Sequence, residues 1–262
     1  NVVLTNPDML HYSLLPGHER WSRLLRNLRY IVVDEAHAYR GVFGAHVSLV
    51  LRRLRRLAEH HRSSPIVIAA SATSGAPERS VARLIGAPVT AITEDSSPTP
   101  KRTVVLWQSP MDDGASSATR DAAALTSAAV HQGCQVLTFL RSRRAVEYVA
   151  SLVREHHAED ASTPPGSDAI AAYRGGFLAE ERRALEDGLR SGSIRALATT
   201  NALELGIDIA GMDVVVTAGW PGTRSSLWQQ FGRAGRGTSA AFAAFVARED
   251  PLDTYPVSYT HL

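Results

Sequence analysis

Short uninterrupted apolar runs alternate with longer stretches of helical period along most of the chain. The runs are Val2–Leu4, Tyr30–Val33, Ile66–Ala70 and Val104–Trp107, then Val136–Phe139, Ile170–Tyr173, Ala196–Thr199, Val214–Thr217 and Ala244–Val246. Their length and continuity fit parallel strands covered on both faces. Between them, Val47, Val50, Leu51, Leu54, Leu57 and Ala58 recur at helical spacing, and further helices are predicted over Ser142–His156 and Glu180–Leu189. The alternation predicts an α/β fold with mainly parallel sheets. Two stretches rich in Pro, Ser, Asp and Gly, Glu94–Arg102 and Pro110–Ser117, bracket one strand. They place a first domain over 1–108, a linker over 109–122, a second domain over 123–250 and a tail over 251–262. Ala161–Asp168 is a further loop of the second domain.

Composition narrows the class without naming a function. At 262 residues, 44% hydrophobic and 21% charged, the chain is ordinary for a globular protein of one or two domains. Collagen-like, mucin-like and disordered classes are excluded. No run reaches the roughly 18 apolar residues of a membrane-spanning helix, and no secretory leader opens the chain. One cysteine, Cys134, rules out an internal disulfide and a multi-cysteine zinc cage. These features predict a cytoplasmic protein with no membrane partner. The net charge of +2 does not by itself argue for nucleic acid. Of the 28 basic residues only Lys101 is lysine, and it follows Pro100, so these residues contain no phosphate loop of the form GxxxxGK(S/T).

Three motifs carry candidate chemistry. The run Ile31-Val-Val-Asp-Glu-Ala-His37 ends a strand in two adjacent carboxylates, where ligands of open parallel sheets bind. Asp34 suits Mg²⁺ held through water. Glu35 suits the orientation and deprotonation of an attacking water. The bland alternative is a strand cap leading into a helix. Ile68-Ala-Ala-Ser-Ala-Thr73 ends a second strand in hydroxyl residues. Ser71 and Thr73 can hydrogen-bond toward His37, or form an ordinary Ser/Thr turn. Gln229-Gln-Phe-Gly-Arg-Ala-Gly-Arg-Gly237 puts Arg233 and Arg236 three residues apart. Paired guanidinium forks suit phosphate oxygens; a flexible basic loop is the alternative.

Taken together, DEAH, SAT and QxxGRxGR in this order resemble a superfamily 2 helicase. Further segments agree: Thr5-Asn-Pro-Asp-Met-Leu10 with motif Ib, Phe139-Leu-Arg-Ser-Arg143 with motif IV, Tyr173-Arg-Gly-Gly176 with motif IVa, and Ala198–Asp208 with motif V. The surroundings of DEAH, with Leu203–Ile209, Gly219-Trp-Pro-Gly222 and Ser226–Gln230, resemble the MrfA-like bacterial DNA helicases. These are relatives of RecQ-like and Lhr-type enzymes that carry a C-terminal DUF1998 domain.

The resemblance implies two tandem RecA-like domains, with ATP between them and single-stranded DNA, in the course of unwinding a duplex, across their top. The implied activity is ATP-driven 3′→5′ movement linked to DNA repair, on the nucleoid. Carried over, Asp34 holds Mg²⁺ and Glu35 is the general base. His37, Ser71 and Thr73 couple hydrolysis to movement. Gln229, Arg233 and Arg236 face the nucleotide, and Gly206 and Asp208 lie near it. Thr5, Arg141, Ser142, Gly175, Gly176, Thr199 and Thr200 hold the DNA backbone. Gln230 stands where other helicases carry arginine, and Phe177 where tyrosine is usual. The resemblance also places the phosphate loop, the adenine-recognising segment and motif Ia before Asn1, so the first domain is read as N-terminally truncated and these residues alone as inactive. The last six or seven residues, in Tyr255–Leu262, resemble translated adaptor sequence. Two other functions compete: a non-catalytic nucleic-acid-binding scaffold and an RNA helicase, which differ from the first by the presence of an upstream phosphate loop and by the 2′-hydroxyl.

The remaining chemical residues have structural readings. His60, His61, His156 and His157 suit solvated helix ends better than a metal site, because adjacent helical histidines diverge. Arg52–Arg56 reads as a solvated helix face or a DNA contact. Cys134 reads as a small core residue. Trp107, Trp220 and Trp228 could stack on bases or pack internally.

Overall fold

The computed structural model describes residues 2–71, 76–94, 101–108, 117–159, 169–173, 176, 178–201, 211–235 and 240–253. The chain divides into two compact units, Asn1–Asp95 and Ser96–Leu262.

The first unit holds helices α1 (Pro7–Met9), α2 (Ser22–Arg26), α3 (Gly41–His60) and α4 (Pro77–Ile85), and strands β1 (Tyr30–Val33) and β2 (Ile66–Ala69). The strands pair in parallel, Tyr30 opposite Ile66 and Val33 opposite Ala69. Strand alternation sends Ile31 and Val33 toward a core with Val47, Val50, Leu51 and Leu54 of α3. The opposite face of this sheet presents Tyr30, Val32, Ile66 and Ile68 as exposed side chains. Arginines of α3 hold α4 in place. Arg52 Nη2 donates to Arg83 C=O at 2.8 Å and Arg55 Nη1 to Ile85 C=O at 2.9 Å, satisfying carbonyls that a helix end leaves without intrahelical partners. Arg53 lies 3.2 Å from His11 Nδ1. The arginine cluster is thus partly a helix clamp rather than a free solvated face.

The second unit is a six-stranded sheet in the order β3-β8-β7-β4-β6-β5. Its strands are β3 (Arg102–Gln108), β4 (Val136–Leu140), β5 (Ile170–Tyr173), β6 (Ala196–Thr199), β7 (Val214–Ala218) and β8 (Ala241–Ala247). Every pairing is parallel. Helices α5 (Ala118–His131) and α6 (Arg143–Glu159) cover one face, and α7 (Ala179–Ser191) and α8 (Arg224–Phe231) the other. In β4, Val136 and Leu140 join the α5/α6 core while Leu137 and Phe139 join the α7/α8 core, which accounts for the unbroken apolar run.

Three expectations are corrected. Residues 2–6 form no strand, and Val2 and Leu4 are 87% and 94% exposed; no strand among the described residues pairs with them. Strand β3, expected in the first domain, pairs with β8 along its whole length, so the division falls at Asp95/Ser96 rather than in a 109–122 linker. Helix α5 begins within that supposed linker, where Ser117 Oγ accepts the N–H of Arg120. Nor does the second domain stop at 250, because Asp253 is fully buried.

The amino edge of the large sheet is organised by Gln135. Its Nε2 donates to Leu189 C=O at 2.8 Å and to Ile194 C=O at 2.9 Å, and its N–H donates to Asp213 Oδ2 at 2.7 Å. Gln135→Leu is expected to strip Ile194 C=O of this donor and leave Leu189 C=O with the longer Gly192 N–H bond at 3.2 Å, at a cost of roughly 1–2 kcal/mol, read as a lower urea midpoint for the second unit. An unchanged midpoint would contradict this role.

Candidate functional site

In the first unit the chain makes a tight exit from β1. Ala70 N–H donates to Val33 C=O at 2.9 Å, and Ala36 N–H donates back to Ala70 C=O at 2.9 Å. The carboxyl ends of β1 and β2 are thereby stitched together, with Asp34 and Glu35 on one side and Ser71 directly after Ala70 on the other. Asp34 Oδ1 accepts the N–H of Glu35 at 2.9 Å. Glu35 has φ 49 and ψ 42, the left-handed region that a side chain with a Cβ disfavours. The turn aims its carboxylate at His37, whose Nδ1 is 3.2 Å from Glu35 Oε2. Asp34 is exposed, Glu35 partly exposed and His37 nearly buried. The three residues of the expected acidic motif therefore form one local group. Thr73 lies outside the described residues.

Upstream, Asn6 caps α1 through its Oδ1, which accepts Met9 N–H at 2.8 Å. This leaves Thr5 exposed just before the helix.

In the second unit the parallel sheet separates two groups of candidates. Arg141 and Ser142 follow β4, Gly176 follows β5, and Thr199 and Thr200 end β6, all on the carboxyl edge. Arg141 and Ser142 are exposed, and Ser142 Oγ accepts Ala145 N–H at the start of α6. Gly176 has φ 107, and a Cβ at this position would meet nothing within 4 Å, so its backbone is open to a close approach. Thr199 differs from expectation. It is 0% exposed and its hydroxyl donates to Thr200 C=O at 3.0 Å, which makes it a support for Thr200 rather than a contact surface. Arg233 lies at the opposite, amino edge. Helix α8 starts after β7 with Thr223 Oγ1 as its cap and runs back, and the segment after it is locked by Met212 N–H to Arg233 C=O (3.1 Å) and Gly235 N–H to Met212 C=O (2.8 Å). Gln229, on α8, is half-buried. Arg236, Gly206, Asp208 and Gly175 lie outside the described residues.

Several groups take roles in the structure that the sequence did not assign to them. Gln230, read as a lost charge, is buried in the core, where its Oε1 accepts the Thr217 hydroxyl at 2.9 Å; an arginine there would bury a cation. Asp253 is buried with its carboxylate on the N–H groups of Trp220 (2.8 Å) and Arg248 (2.9 Å). The cluster of acids after β8 was its only sequence signal. Trp220 packs edge-on against Phe245 and Trp228 against Phe231, so both are engaged in packing, whereas Trp107 donates its Nε1–H to Asp121 and keeps an exposed ring. His61 pairs with His18 at 3.1 Å, and His157 stacks on His131. Among the described residues no group of three or more His, Cys, Asp or Glu side chains can hold a metal ion, and no helix is long and apolar enough to cross a membrane.

Known proteins resemble this chain in sequence and fold. The DEAD/DEAH box helicase family matches residues 1–81, and the helicase conserved C-terminal domain matches residues 120–238. The chain is 40% identical over 263 residues to the uncharacterized ATP-dependent helicase YprA of Bacillus subtilis, across 99% of this chain and 35% of that protein. It is 37% identical over 266 residues to the ATP-dependent helicase hrq1 of Schizosaccharomyces pombe, across 97% and 25%. Among solved structures, the DUF1998 helicase MrfA bound to DNA and AMPPNP matches with TM-score 0.90 and 40% identity, across 98% of this chain and 36% of that one. The chain thus spans about a third or less of the length of these relatives.

Local geometry also sets stability and reactivity. Glu35→Gly relieves the left-handed backbone at the loss of the carboxylate's contact with His37, so the first unit is expected to gain roughly 0.5–1 kcal/mol, seen as a higher melting temperature; a lower one would contradict the strain. The Cys134 thiol is pushed above its ordinary value by burial and, secondarily, by the Asp213 carboxylate. Its contribution to stability is therefore full below the ordinary thiol range and lost as pH rises through the folded value. Iodoacetamide labelling of the folded chain is expected to accelerate at higher pH than labelling of the denatured chain, and coincident profiles would contradict it.

Proposed function

The chain belongs to the DEAD/DEAH box helicase family, and on that premise we propose that it forms part of an ATP-driven motor moving along single-stranded DNA. The observation that carries this reading is the exit of β1. Two carboxylates stand at the carboxyl end of a parallel strand, and Glu35 is aimed by its left-handed turn and braced by His37. A base fixed in this way can orient a water and take its proton with little reorganisation.

The donor set at Asp34 fits a divalent cation. With Oδ1 engaged by the Glu35 N–H, its remaining lone pairs are carboxylate oxygens of the kind Mg²⁺ prefers, directly or through water. When bound, Mg²⁺ would neutralise charge on the phosphates of ATP. Arg233 and Arg236 supply guanidinium charge to the transferring phosphoryl group, with Gln229, Gly206 and Asp208 among the nucleotide contacts. The backbone link from Ala36 to Ala70 gives His37, Ser71 and Thr73 a route for passing changes at the carboxylates to the end of β2.

Thr5 of the first unit and the carboxyl-edge residues Arg141, Ser142, Gly175, Gly176 and Thr200 hold the sugar–phosphate backbone, with Thr199 as support. Such contacts position a strand without reading its sequence. The relative bound to DNA and AMPPNP supports DNA as the track and ATP as the fuel, and a repair role is the proposed setting. The scaffold alternative is disfavoured by the retained Glu35 and Arg233.

The test uses the complete protein that carries these residues together with a phosphate loop. DNA-stimulated ATP hydrolysis is expected, and Glu35→Gln is expected to lower kcat by at least about 100-fold while single-stranded DNA affinity stays within about twofold. Undiminished turnover would remove Glu35 as the base, and stimulation by RNA alone would overturn the choice of DNA.

A further inference from the structure

The carboxyl edge of the large sheet contains a carboxylate set directly against one of the basic groups assigned to the DNA backbone. Arg141 Nη1 lies 3.7 Å from Asp250 Oδ2. The other oxygen of Asp250, Oδ1, accepts Leu252 N–H at 3.0 Å. Its main chain sits in a tight turn, with Asp250 N–H donating to Arg248 C=O at 2.8 Å and Asp253 N–H to Asp250 C=O at 2.9 Å. The turn is anchored by the fully buried Asp253, whose two oxygens accept N–H groups at the exits of β7 and β8. Gly219 opens the path taken by Arg141. At its φ of 83 a Cβ would stand 3.2 Å from Arg141 Cδ and 2.6 Å from Arg248 Cδ. The position of Asp250 is thus set by backbone, not by chance rotamers on a loose surface.

A fixed carboxylate beside Arg141 opposes the binding of a polyanion there, since a phosphate and Asp250 compete for the same guanidinium fork. With side chains 45% and 36% exposed, the pair is screened by solvent and weak enough to yield. We propose that Asp250 is an affinity-setting residue. It holds Arg141 aimed along the edge and gives it up to a backbone phosphate, so that the strand is gripped loosely enough to be released as the motor advances. This rests on Arg141 being a backbone contact.

The test is a double-mutant cycle on the 262-residue chain, reading fluorescence anisotropy of a labelled oligo-dT across a KCl series. Asp250→Asn is expected to tighten binding about two- to five-fold, and Asp250→Glu to restore the starting affinity. Arg141→Ala is expected to weaken binding and to reduce the salt slope by about 0.7, the loss of one phosphate contact on a single strand. With Arg141→Ala in place, Asp250→Asn should change nothing. No tightening, or equal tightening in both backgrounds, would overturn the proposal, the latter exposing a general charge effect. Unaltered affinity and slope in Arg141→Ala alone would instead remove the backbone role of Arg141, and the proposal with it.

Discussion

In-register parallel pairing governs where chemistry can sit in this chain. When every strand of a sheet runs the same way, all carboxyl ends share one edge and all amino ends the other. In the second unit the pairings from β3 through β5 therefore gather Arg141, Ser142, Gly176, Thr200 and Asp250 on one edge. They leave Gln135, Asp213 and the Arg233 segment on the other. The crossover helices make this division possible, because each must return the chain from the carboxyl edge to the amino edge before the next strand. Helix α8 does so between Thr223 and Phe231, and its return is what delivers Arg233 to Met212.

The same constraint operates in miniature in the first unit. Among the described residues this sheet has two strands, and reciprocal bonds among Val33, Ala36 and Ala70 close its exit. The tight reversal they impose puts Glu35 in a left-handed conformation, where asparagine or glycine would be easier. The reversal thus holds the Glu35 carboxylate 3.2 Å from the nearly buried His37. By contrast, the arginines of α3 that looked chemically suggestive satisfy helix-end carbonyls of α4.

Continuous apolar runs made the strands readable, because burial on both faces removes the polar alternation and leaves Val, Ile, Leu and Ala in blocks such as Val214–Ala218. Asp34, Glu35 and His37 touch one another for a local reason: residues this close in the chain need no tertiary information to meet. What failed was long-range. Nothing local marks β3 as a partner of β8 more than 130 residues later, so its unit was misassigned. Val2–Leu4 has the composition of a strand but no partner among the described residues. The alanine-rich start of α5 lacks bulky apolar periodicity, so only its Ser117 cap signals it. Thr199 and Gln230 were read from the resemblance as a DNA contact and a lost charge, yet each is buried and bonded inside the second unit. Burial of a polar side chain is invisible until its neighbours are known.

The sorting of edges is the central claim, and backbone hydrogen exchange tests it most directly. The 262-residue chain would be compared with and without saturating oligo-dT. The account predicts added protection at residues 141–143 and 199–200, with none at 211–213 or 233–235. Protection at the amino-edge segments while the carboxyl-edge loops exchange unchanged would contradict it.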